Sequence, residues 1–161
     1  MCIVIDLNRI PSVLNPYESE HSEFQPILDW IDSRNARIVY GGTKYKTELR
    51  KMPKYFGILL ERKKAGQVYE ADDKSVDVVE EEINGKTRGT TFNDQAIVAI
   101  VIVSRCRLIC SNDKNSFPFL RLPSLYPKNI KRPSIYTGRK NVAILNHRHI
   151  LGKCGPCCSG N

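Results

Sequence analysis

The run 94-DQAIVAIVIVSRCRLICSND-113 constrains the fold of this chain more than any other segment. Between Asp94 and Asp113 lie 18 residues without an acid, most of them apolar, and so much apolar side chain has to be buried in whatever the chain becomes. The β-branched residues at 97, 98 and 100–103 favour a strand on propensity alone, which makes a hairpin the natural rival. A hairpin needs turn chemistry near Ser104-Arg105-Cys106, where there is no Gly, Asn, Asp or Pro. A buried helix from about Asp94 to Ser104, followed by a strand from Arg107 to Cys110, needs only a tight polar connection. About 11 helical residues descend roughly 16 Å at 1.5 Å each, and about five extended residues climb back nearly as far. Asp94 and Asp113 are therefore expected at the same edge of a sheet.

Upstream, strands and helices alternate. Cys2 to Ile5 and Ala36 to Tyr40 read as short strands, with Gln67 to Tyr69 a weaker third. Between them Phe24, Ile27, Leu28 and Ile31 recur at helical spacing, as do Phe56, Leu59 and Leu60 ahead of Arg62-Lys63-Lys64 and Gly66. Asp77 to Ile83 predicts a further helix, ended by Asn84-Gly85. This order points to an α/β layer structure with a mainly parallel sheet. Asp6 closes the first strand. If strands 2–5 and 107–110 run parallel, Asp6 and Asp113 both lie at carboxyl ends, where open α/β sheets place their ligand crevice. With Asp94, three carboxylates then converge. Like charges in a cleft are costly unless a proton or a cation intervenes, and a divalent metal held by oxygen ligands answers that cost.

In order and spacing these residues resemble a PIN-domain nuclease over residues 1 to about 120. The likeness is carried by Asp6 with Asn8 two places on, Glu48 within 44-KYKTELRK-51, Asn93-Asp94 opening an apolar helix, and 108-LICSND-113 followed by Phe117. The resemblance implies a three-layer fold and a metal-dependent phosphodiesterase, usually acting on RNA. Asp6, Glu48, Asp94 and Asp113 would be its catalytic acids and its ligands for Mg²⁺ or Mn²⁺, with Asn8 and Ser111 beside them. Arg9, Lys44, Lys46 and Arg50 are candidates for holding the substrate backbone. Toxin-like relatives add a cognate inhibitor, antitoxin-like, as a partner to expect, and a homodimer is a further expectation. Where many relatives carry a second acid before the aromatic, this chain has Ser116. Each acid also has a purely structural reading: Thr91-x-x-Asp94 as a capping box, Glu48 paired with Lys44 or Lys51, Asp6 and Asp113 as turn acids. The rival from another class is a non-catalytic nucleic-acid-binding module.

Charge is unevenly spread. Residues 1–120 hold all 17 acids and 17 of the 25 Lys and Arg, so the net charge of +8 belongs to residues 121–161. A PIN-like domain over 1–120 with a basic extension over 121–161 is the expected division. In the extension Lys131, Arg132, Arg139 and Lys140 are candidates for gripping phosphates, with Tyr126 and Tyr136 as stacking surfaces. His147, His149, Cys154 and Cys157 have spacing that could hold Zn²⁺. Cys154-Gly155-Pro156-Cys157 is followed here by four residues, so a helix that would depress a thiol pKa is not expected, nor is a redox fold. Gly85-Lys86-Thr87 lacks the upstream glycine of a phosphate-binding loop. The longest apolar run, Ala96 to Val103, is too short to span a bilayer, and Met1-Cys2-Ile3-Val4-Ile5-Asp6 has no basic start of a secretory signal. With Cys2, Cys106 and Cys110 inside apolar segments, a cytoplasmic protein without a membrane partner is expected.

Overall fold

Four residues of nearly pure aliphatic sequence, Cys2–Ile5, form the first strand, β1, and all four are buried. A strand covered on both faces belongs in the middle of a parallel sheet, and β1 is the central strand of five. The computed structural model describes residues 1–145. After β1 come α1 (Ile10–Leu14), α2 (His21–Asp32), β2 (Arg37–Gly41), α3 (Thr43–Arg50), α4 (Pro53–Lys64) and β3 (Val68–Ala71). Then follow α5 (Asp73–Thr87), α6 (Gln95–Ser104), β4 (Leu108–Cys110), α7 (Phe117–Leu120) and β5 (Ser134–Tyr136). The strand order is β3-β2-β1-β4-β5 and every pairing is parallel.

That order contains a reversal. From β1 the chain steps outward through β2 to β3, then crosses back to lay β4 on the other side of β1. Because parallel crossovers are right-handed, α1, α2 and α4 of the first two connections cover one face and α5 and α6, between β3 and β4, the other, while α3 packs on α4, α5 and α6 alike. In keeping with this, α1 packs on α2 and α4, whereas α5 packs on α6 and α6 lies against β1, β2 and β3. The switch point falls between β1 and β4, so their carboxyl ends open the crevice where such sheets bind ligands.

The segment 94–110 forms the predicted helix and strand. In α6, Gln95 to Val101 and Ser104 are all buried, which is what a helix apolar all round requires. Arg105 ends it in the left-handed conformation, φ 56°, and the Cys106 amide donates to Ser104 Oγ, so the connection is tight and polar. No helix among the described residues is long and apolar enough to cross a membrane. Cys106 and Cys110 are buried, and the Cys106 thiol donates to Leu108 O.

Two expectations change. Asn84-Gly85 does not end α5, which continues to Thr87. Ile83 and Thr87, one turn apart, are both buried, and Thr87 Oγ1 donates to Ile83 O. That packing outweighs the cost of about 1 kcal/mol for a helical glycine. The tyrosines expected as stacking surfaces are inside. Tyr126 and Tyr136 are buried, and their hydroxyls donate to Leu120 O and Glu23 O, both at 2.8 Å. Aromatic rings bury large apolar areas once the hydroxyl finds a partner, and β5 supplies that setting. The sheet therefore extends past residue 120, with β5 paired to β4.

Gly42 controls how α3 leaves β2. Its φ is +80°, and a Cβ there would meet Val76 Cγ1 at 2.5 Å. Its amide donates to Asp73 Oδ1, and that of Thr43 to Asp77 Oδ1, so two carboxylates of α5 satisfy the α3 N-terminus. Gly42→Ala adds both strain and a clash with a buried side chain. A loss of about 1–3 kcal/mol is expected, read as a lower urea midpoint at unchanged m-value.

Candidate active site

β1 and β4 end in register, Ile5 beside Cys110, so the next residues, Asp6 and Ser111, are neighbours. Asp6 is 3% exposed, and both of its carboxylate oxygens are engaged. Oδ1 accepts from the Asn8 amide at 3.0 Å and Oδ2 from the Ser111 hydroxyl at 2.8 Å. Asn8 and Ser111 thus do flank Asp6, Asn8 through its backbone. The Ser111 hydroxyl also accepts from the Asp113 amide, tying the turn after β4 to the first acid.

Asp94 stands at the N-cap of α6, yet its side chain makes no capping hydrogen bond. Its Oδ2 instead receives the Ser116 hydroxyl, so a capping box does not account for it. The same Ser116 Oγ lies 2.9 Å from Asp113 Oδ2. A hydroxyl has one proton to donate, and here it is set between two carboxylates. Burial raises the Asp94 pKa; the Ser116 hydrogen bond lowers it, the negative charges of Asp6 and Asp113 raise it again, and Lys44 lowers it. The net direction is upward.

Glu48 reaches the cleft from α3. That helix is pinned over β1 by the buried Tyr45, whose hydroxyl donates to Ile5 O at 2.5 Å. Glu48 pairs with Lys51 at 2.7 Å. Asp6, Glu48 and Asp94 line one cleft together, in two adjoining lobes of about 110 and 270 Å³. Asp113 opens on a neighbouring cavity with Asn93, Lys114 and Ser116, and reaches the others through the Ser116 hydroxyl.

The cations divide. Lys44 lines the acid cleft and pairs with the buried Glu80 at 3.3 Å. Arg9 pairs with Glu20 and lies over the Phe24 ring. Lys46 is enclosed by Glu70 and Asp73, its side chain 12% exposed. Arg50 lies over Phe56. Further along, Arg132 donates to Arg121 O, Arg139 donates to Ser22 O, Lys131 lines a separate cavity, and Lys140 is exposed. His147, His149, Cys154 and Cys157 lie outside the described residues. Two site residues were not among the predicted ones: Tyr45, which positions α3 and carried no signal in the sequence, and Ser116, noted there only as standing where many relatives carry an acid, whose hydroxyl joins Asp94 to Asp113.

Carboxylate oxygens are the donors that Mg²⁺ and Mn²⁺ take, so the cleft suits a hard cation in kind. Among the described residues no group of three or more His, Cys, Asp or Glu is placed to hold a metal ion; each acid is instead held by Ser111, Ser116 or Lys51. No family model matches the chain, and no curated protein and no solved structure matches it.

Proposed function

We propose that the chain is a PIN-like, metal-dependent endoribonuclease that hydrolyses RNA phosphodiester bonds. The observation that carries this reading is the convergence of Asp6, Glu48 and Asp94 on one cleft at the switch point between β1 and β4, with Asp113 joined through Ser116. Asp6, Asp94, Asp113 and Glu48 would hold Mg²⁺ or Mn²⁺. When bound, such an ion supplies a more acidic water and neutralises charge at the attacked phosphate. No side-chain nucleophile is required. Lys44, exposed and held by Glu80, can meet a non-bridging phosphate oxygen from the same cleft. Asp94 has to be ionised to serve as a ligand, and its pKa is raised. Activity should therefore rise with pH through the titration of Asp94.

The non-catalytic reading, a nucleic-acid-binding module, is favoured by one observation, that no group of three or more His, Cys, Asp or Glu among the described residues is placed to hold a metal ion. Incubation with end-labelled RNA and DNA of one sequence, in Mn²⁺ or in EDTA, separates the two. Internal cuts in RNA with Mn²⁺ and none with EDTA are expected. Intact RNA at every metal concentration would leave the binding module standing.

A further inference from the structure

A second cavity lies away from the acids. It is a groove of about 820 Å³ built by residues 121–144, and it shares no lining residue with the acid cleft. Arg121, Lys128, Lys131 and Arg132 line it, and no acid does. All four cations are exposed, and none forms a salt bridge with an acid among the described residues. Such a concentration of one sign raises the local density of anions and releases counterions when a polyanion binds. Ile130 and Ile144, both half-buried, add apolar surface to the same groove.

The groove is also placed to work with the acids. Ser116, which joins Asp94 to Asp113, is the N-cap of α7, and Arg121 is its C-cap. Four helical residues rise about 6 Å, so the nearest cation of the groove stands one short helix from the acid cluster.

We infer that this groove is an anchoring site for single-stranded nucleic acid, in which the four cations hold successive phosphates and the apolar wall receives unstacked bases. A duplex keeps its bases stacked inside and offers the apolar wall nothing, so the mixed lining selects a single strand. That the ligand is nucleic acid rests on the ribonuclease reading above, whereas the groove and its charge do not.

The test is binding of the full chain to a fluorescent 12-nucleotide RNA in EDTA, followed by anisotropy across a salt series, so that cleavage plays no part. Each single-strand phosphate contact contributes about 0.7 to the slope of log K against log salt. Lys128→Ala with Lys131→Ala should flatten that slope by about 1.4 and weaken binding about 20-fold at 0.1 M salt. Lys64→Ala with Lys86→Ala removes the same net charge from α4 and α5 and should change neither quantity appreciably. Thermal melts of both pairs should match the parent, since all four lysines are exposed. The inference is overturned if the groove pair binds like the parent, if the control pair weakens binding equally, or if duplex RNA binds as tightly as the single strand. A parent chain that binds the RNA as expected yet makes no cut in Mn²⁺ would sink the ribonuclease reading and leave the groove.

Discussion

Asp94→Asn is expected to lower Mn²⁺-dependent RNA cleavage by on the order of 100-fold or more, because a metal centre contributes several kcal/mol of transition-state stabilisation. The same substitution should raise the melting temperature of metal-free protein. Asp94 is half-buried, and its folded pKa lies above the ordinary carboxylate value through burial, with Asp6 and Asp113 adding to the shift. A raised carboxyl pKa means that the folded state prefers the neutral form. Its cost to stability is absent below the unfolded value near 3.9, grows as pH rises through the folded pKa, and is complete above it. The stabilisation by Asn should therefore be largest near neutral pH and vanish toward pH 3. Melting curves from pH 3 to 8 in EDTA, beside cleavage in Mn²⁺, measure both. A variant that cuts RNA at the parental rate removes Asp94 from the site.

Ile100→Ala should give the opposite pair of results. Ile100 is fully buried in α6, one of the elements that brings an acid to the cleft, and truncating it leaves a cavity. A loss of about 2–5 kcal/mol is expected, a large share of the stability of a domain of this size. Cleavage per folded molecule should persist, because no site residue is touched and Asp94 still stands at the head of the helix. Urea unfolding and single-turnover cleavage below the unfolding transition check this. Parental stability would show that the core around α6 repacks. A cleavage rate that collapsed while the chain stayed folded would show that α6 sets the position of Asp94 more finely than a helix cap does.

The contrast between these two substitutions follows the division between what sequence and structure each determine. Residues 96–103 had to be buried, and the missing turn residues near Ser104 excluded a hairpin. That was enough to make a helix and a strand, and simple lengths then returned Asp94 and Asp113 to one edge. Asp6 at the end of β1 was legible for the same reason: strand ends are local features, written in short runs of β-branched residues. The register of Ile5 with Cys110 and the crossing from β3 back to β4 were not local. They put Ser111 on Asp6, and the turn after β4 puts Ser116 between two acids. A serine's hydrogen-bond partner 105 residues away leaves no periodic trace in a chain.

The basic segment shows the same limit from the other side. Its charge was plain from composition, since no acid follows Asp113. Its place was not, because a strand of three residues, Ser134–Tyr136, is too short to show a period and joins the sheet only through β4. Tertiary pairing turned two tyrosines expected as stacking surfaces into core and gathered Arg121, Lys128, Lys131 and Arg132 around one groove. Composition and local order are enough to say which residues must be hidden and where charge accumulates. Which charges meet depends on strand order and register, and these are set by contacts between residues far apart in the chain.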